Sequence, residues 1–282
     1  MGMGGMEHPH QHGGGLPVEG LVPVLALLVL GGGYGVAVWR VRRRSGGQGW
    51  SGPRAFCFAA GVGLLAVALL PPLGTVAHHD FRGHMAQHML IGMYAPLALV
   101  LGAPVTLLLR VLPVRRARRV TAVLRSRPVK LVAHPAVALL LSTGSLGVLY
   151  FTPLYDALSA HPAGHWLMSL HFLASGCLFA HAIAGPDPAP GRPGVPARLG
   201  YLGVAVAAHA LIAQAMYGGY LVHLHVPAAE VRAGAEIMYY AGDIAELLLA
   251  GALVATWRPE RRRPATGRAP APAAVPNAAV PH

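Results

Sequence analysis

Apolar positions in this chain run in blocks of about 18 to 22 residues, each long enough to cross about 30 Å of hydrocarbon as a helix. The blocks fall near residues 20–39, 54–71, 84–103, 131–152, 164–184, 199–221 and 235–257, separated by charged residues and by Pro/Gly punctuation. The pattern predicts an all-α, polytopic membrane protein: a bundle of seven transmembrane helices over residues 20–257. Residues 1–19 form a Met/His-rich segment expected to be flexible. Residues 258–282 form a basic, Pro/Ala-rich tail expected to be disordered. The first fifteen residues lack the positive region that precedes a secretory signal, so the first apolar run is expected to remain as a span.

Composition supports this reading. Hydrophobic residues make up 54% of the 282 positions and charged residues only 11%, whereas about a quarter of a soluble domain is charged. A soluble enzyme is thereby excluded. The formal charge of +12 does not point to nucleic acid, because the basic residues sit between the apolar blocks. Arg40, Arg42, Arg43, Arg44 and Arg54 flank the first loop, and the third carries the segment from Arg110 to Lys130. Arg192 and Arg198 lie in the fifth, and Arg258, Arg261, Arg262, Arg263 and Arg268 follow the last span. Alternating spans put all of them on one side. The positive-inside rule makes that side cytoplasmic, with the N-terminus outside and the C-terminus in the cytoplasm, and the lipid bilayer as the first partner. In the third span, Pro96 cannot donate to the carbonyl of Gly92, which predicts a bent helix. Pro104 is expected to end the span or open an amphipathic segment.

Most of the 16 histidines fall on the outer side of this topology. His84 and His88 are four apart, on one helix face about 6 Å apart along the axis, a spacing at which two imidazoles can hold one metal. Asp80, one turn earlier, is a candidate to orient an imidazole from behind. Met85, Met89 and Met93 form an adjacent stripe. Methionines in apolar helices are ordinarily core filler, but imidazole with thioether selects copper, Cu(I) above all. His165 and Met168 repeat the chemistry in the fifth span beside His161, with His171 about 60° away and at the depth of His88. His78 and His79 precede the third span as secondary candidates. His209 and Met216 share a face of the sixth span and could form a relay or an ordinary interhelical contact.

The seventh span carries Glu236, Asp243 and Glu246. Glu236 and Asp243 are seven apart on one face, and carboxylates at that depth need partners: they could pair with the histidines, carry protons, tune a metal or form a purely structural pair. The N-terminal MGMGGMEHPHQH interleaves Met1, Met3 and Met6 with His8, His10 and His12, a composition suited to capturing soft metal ions. Phosphate-binding loops, H-E-x-x-H and G-x-S-x-G are missing from the sequence, and Cys57 and Cys177 have no C-x-x-C spacing.

The runs HHDFRGHMAQHMLIGMYAPLALVLGAPVTLLLR, AHPAVALLL, YFTPLYDALSAHPAGHWLMSLHFLASGCLFAHAIAGPDP and IMYYAGDIAEL resemble the CtaG family of cytochrome c oxidase assembly proteins over residues 20–257. The resemblance implies a seven-span bacterial plasma-membrane protein that helps mature a heme-copper oxidase at the stage of copper delivery. Its partners would be oxidase subunits or other copper chaperones. It places weight on His84, His88, His165, His171, His209 and Asp243. Where relatives often carry a further histidine in the fifth span, this chain has Ser169. Four readings stay open: copper handling without bond-making chemistry; an electron carrier with heme between paired histidines; a metal or proton permease through His209 and the acidic last span; and a metal-free scaffold.

Overall fold

The computed structural model describes residues 18–44, 49–189 and 191–257, and all regular structure among them is helical. The N-terminal Met/His segment up to residue 17, with Met1, Met3, Met6, His8, His10 and His12, lies outside the described residues, as does the tail from residue 258. Among the described residues six helices are long and apolar enough to cross a membrane: α1 (Val18–Arg44), α2 (Gly52–Leu69), α3 (Phe81–Leu101), α5 (Pro162–Ala184), α6 (Val195–Gly218) and α7 (Ala228–Thr256). Where the sequence predicts the fourth span there is a shorter apolar helix, α4 (Pro135–Tyr150). At about 1.5 Å per residue it is roughly 24 Å long, shorter than the other spans, yet it carries the chain from the Arg127–Val132 end to the end where Tyr150 meets His84. The predicted span began at residue 131, but Lys130 to Val132 belong to a separate short helix, Arg127–Val132. His134 and Pro135 then restart the chain as N-cap and first residue of α4.

Helix α3 lies at the centre, packed against α2, α5 and α7; α6 lies on α7, α4 rests on α5 and α6, and α1 rests on α2. The most apolar stretches of α3 and α5 are 56% and 50% buried, against 17% for α1. Leu25, Leu28 and Val29 of α1 and Leu247 and Val254 of α7 stay exposed, as a lipid-facing surface requires.

Helix α3 departs from regular geometry where proline predicts it. Pro96 has no N–H, and the turn before it widens to a π-turn over Leu90–Tyr94, in which the Ala95 N–H reaches back five residues to the Leu90 carbonyl. The Gly92 carbonyl, which Pro96 cannot serve, faces α5 at Gly176. A Cβ on Gly176 would collide with that oxygen and stand 2.9 Å from Pro96 Cγ. The two central helices thus touch backbone to backbone, the close approach that small residues permit between membrane helices.

The bundle has two chemically distinct ends. At one, α3 runs through Ala103, in the left-handed region (φ 52°), into the helix Pro104–Val111. That helix start is capped by the buried Asp187 from the loop after α5. Asp187 accepts from Val105 N (3.0 Å), Thr106 N (2.8 Å) and Thr106 Oγ1 (2.5 Å). Arg198 donates to the Ile183 carbonyl (2.8 Å) and Arg192 to those of His181 and Gly185, closing the C-terminus of α5. At the other end, Gln87 of α3 donates to Ala68 O of α2 (2.9 Å), and Glu230 of α7 accepts from Phe81 N of α3 (3.2 Å).

Two stability predictions follow from these contacts. Asp187→Ala strands the amides of Val105 and Thr106 and should cost about 1.5–3 kcal/mol for a charged hydrogen-bond acceptor. Thermal unfolding in detergent should show it several degrees below the parent, with Asp187→Asn between the two; an unchanged midpoint contradicts the cap. Gly176→Ala must push α5 off the α3 backbone and should cost about 1–3 kcal/mol. Gly203→Ala on α6, where an added Cβ meets nothing within 4 Å, should be neutral or stabilising by up to about 1 kcal/mol. Equal midpoints for the two alanine variants would remove the close approach as a determinant.

Candidate functional site

Helix periodicity places His84 and His88 on the face of α3 that looks toward α5, while Met85 and Met89, one residue on, turn about 100° away. Both methionines are buried in the apolar core among Phe58, Leu65, Phe81 and Met238 and line no cavity with the histidines. The expected thioether stripe is, at these two positions, packing. Met93 has a different fate. The π-turn carries it, five residues after His88, to a cavity that His88 also lines.

On α5, His165 and Phe172 are seven residues apart and share a face; His171, six after His165, is turned about 120° from it. The structure accordingly sends His171 to α4, where its Nε2 lies 2.9 Å from Ser145 Oγ and 3.1 Å from the Leu141 carbonyl. The expected pairing of His88 with His171 does not form. His88 stands instead against the ring of Phe172, with centroids 4.2 Å apart.

Five histidines, His78, His165, His84, His88 and His209, form a track. His78 and His165 meet edge to face, with ring centroids 4.4 Å apart, half to fully exposed at the mouth. Beneath them a narrow cleft is lined by His84, Gln87, His88, Ile91, His165, Met168, Ser169 and Phe172. His84, 2% exposed, has its Nε2 3.2 Å from the hydroxyl of the buried Tyr150. His79 is exposed. Past His88 lies a second cavity of ≈ 50 Å³, whose walls include His88, Met93, Ser142, Thr143, Ser175, His209 and Glu246. There His209 Nδ1 is 3.7 Å from Glu246 Oε1. A Cβ on Gly242 of α7 would overlap the His209 ring, so the glycine makes room for the imidazole. Met216, expected as the relay partner of His209, is fully buried in the apolar core and lines neither cavity.

Two carboxylate assignments change. Asp80 does not stand behind a histidine: it caps the start of α3 through Arg82 N (2.7 Å) and holds the Arg82 guanidinium at 2.5–3.1 Å. The hydrogen bonds from Arg82 hold its carboxyl below the usual range. Asp243 is half-exposed and lines no part of the cavity, whereas Glu246, 4% exposed, does. Glu246 lies one turn after Gly242, on the face that meets His209, and that glycine was the only sequence signal that could have singled it out.

Along this track His84 Nδ1, both nitrogens of His88, His209 Nε2 and Glu246 Oε2 are buried with no protein hydrogen-bond partner. Each unmade bond costs about 1–3 kcal/mol unless water or a ligand supplies it. Neutral imidazoles with free lone pairs are metal ligands. Among the described residues, no group of three His, Cys, Asp or Glu side chains stands ready to hold a metal ion. The cleft therefore presents donors in pairs and not as a finished cage.

The chain is 37% identical over 196 residues to an uncharacterized protein of Mycobacterium bovis, covering 67% of this chain and 29% of that one, and a Mycobacterium tuberculosis protein gives the same figures. An uncharacterized protein of Mycobacterium leprae is 32% identical over 255 residues, covering 84% of this chain and 38% of the relative. The chain thus spans roughly a third of the length of these curated relatives. No solved structure matches. Residues 32–260, most of the chain, match the family described as cytochrome c oxidase caa3 assembly factor (Caa3_CtaG), and the chain belongs to that family.

Proposed function

We propose that this multi-pass protein assists oxidase assembly by binding copper in the cleft of His84, His88, His165 and Met168 and passing it on by ligand exchange, with His78 at the mouth. The observation that carries the reading is the set of unpartnered ring nitrogens of His84 and His88 beside a half-buried His165 and a thioether. Imidazole and thioether together favour Cu(I) over hard cations. Donors in pairs suit an ion that must leave again, since a closed tetradentate cage would retain it. Ligand exchange makes and breaks no covalent bond in a substrate, so no catalytic residue is assigned.

The orientation follows from charge. Arg42, Arg43, Arg44, Arg110, Arg192 and Arg198 gather at one end of the bundle and the metal-ligand side chains near the other. By the positive-inside rule the arginine end faces the cytoplasm of a bacterial plasma membrane. The copper cleft then opens outward, toward oxidase subunits or other copper chaperones.

The test uses the full chain purified in detergent, loaded anaerobically with Cu(I), with bound copper and the heme absorption region recorded on one sample. The parent should bind copper without a heme band. His84→Ala/His165→Ala should weaken copper binding at least tenfold. His165→Ala alone removes a half-buried ring at little risk to folding and should weaken it measurably. A heme band with no copper in the parent would replace this reading with an electron carrier; copper retained in full by both variants would take the site out of the cleft.

A further inference from the structure

The cavity beyond His88 is not needed for a ligand site that opens only to the outside, yet it is lined by polar groups deep in the bundle. His88, His209 and Glu246 are each 96–97% buried, taking their exposures of 4%, 3% and 4%. His88 lines both the cleft and this inner cavity, and neither of its ring nitrogens has a protein partner. His209 Nε2 and Glu246 Oε2 are likewise unpartnered. Met93 brings a thioether to the same wall through the π-turn. A cavity of ≈ 50 Å³ has room for a few waters or for an ion shed of its hydration shell.

We infer that this inner cavity, bounded by His88, Met93, His209 and Glu246, is a second binding site for a soft monovalent cation, Cu(I), and shares His88 with the cleft. The inference rests on the copper reading of the cleft. Charge selects the ion. One carboxylate and neutral imidazoles balance a single positive charge, whereas a divalent ion would leave net charge deep in the hydrocarbon layer, at high cost. Donor type selects it further, since imidazole and thioether prefer Cu(I) to sodium or potassium. His88, His209 and Glu246 do not converge as a three-ligand group. Cu(I), a d¹⁰ ion, accepts two donors, and Glu246 then contributes its charge without having to ligate. The shared imidazole lets an ion pass from one cavity to the other while always keeping a ligand.

Cu(I) titration of the full chain in detergent, against a competing chelator of known affinity, tests this. The parent should hold two coppers per chain. Met93→Leu, a near-isosteric change, and Glu246→Gln should each hold one, while His84→Ala/His165→Ala should lose the other and keep the inner one. X-ray absorption on the His84→Ala/His165→Ala protein should show a sulfur neighbour to copper that disappears when Met93→Leu is added. A parent that holds one copper, lost in the cleft variant and retained in Met93→Leu and Glu246→Gln, overturns the inner site and leaves the cleft standing. Two coppers retained in both Met93→Leu and Glu246→Gln also overturns it. A parent that holds none overturns both readings.

Discussion

One backbone oxygen organises the centre of this bundle. Pro96 leaves the Gly92 carbonyl without its usual donor, α3 opens into a π-turn over Leu90–Tyr94, and α5 comes in against that carbonyl at Gly176. In lipid, an unserved carbonyl has no water to turn to, so close approach of a second backbone is one of few ways to shield it. The same contact fixes the rotation of α5. With Gly176 facing α3, residues on its helical face, Phe172 and His165, must face α3 as well, and His171 must face α4. The π-turn meanwhile rotates Met93 from the face of Met85 and Met89 toward the inner cavity. The composition of both cavities is thus set by the geometry of one helix crossing.

Around that crossing the structure tolerates polar groups that a membrane interior normally excludes. His84 is held by Tyr150, and His209 sits in the notch at Gly242 beside Glu246. These contacts satisfy only part of the hydrogen-bonding capacity of each group, and five nitrogen and oxygen atoms on one track stay unpartnered. An apolar replacement at each position would fold at least as well, because a buried polar group with unmade bonds costs stability. Structural economy therefore does not account for the track, and the proposed ligand binding would. Asp187, Arg192 and Arg198 at the opposite end bond to helix ends, where they close α5 and the helix Pro104–Val111, although Nε of each arginine is left without a protein partner.

The sequence carried the helical class, six long spans and an irregularity at Pro96, seen as the π-turn Leu90–Tyr94, because unbroken apolar length and a proline four residues after a glycine are local signals. It carried the pairing of His84 with His88 for the same reason. What it could not carry was rotation. Whether His165 or His171 faces α3 depends on where α5 touches α3, a contact made by Gly176, which looks unremarkable in the sequence. Asp80 was assigned to a histidine one turn away, but Arg82, two residues on, competes for it with three side-chain hydrogen bonds. The choice of Glu246 over Asp243 turned on the small face at Gly242, and the exclusion of Met216 on the core that surrounds it. The short α4 was marked in advance by His134 and Pro135, a cap and first-turn proline inside an otherwise continuous apolar block.

The two ends of the bundle can then be read as one arrangement. Arginines at one end hydrogen-bond to helix carbonyls, and their charge is what the proposed orientation rests on. At the other end the groups at the mouth are short of partners: His78 and His79 are exposed, and His165 is half-buried with its ring edge on His78. A surface meant only to face water has no need for imidazoles stacked above a cleft with further unpartnered imidazoles. A surface that takes a soft ion from a partner does, because each exchange requires a new donor within reach before the previous one lets go. Descending from His78 and His165 to His84 and His88, the imidazoles become more buried, and the proposed metal–imidazole interactions would strengthen as competing water is excluded. On the proposed copper reading, such a gradient would favour inward passage from the mouth to His88, and release to a partner would then need a tighter site there.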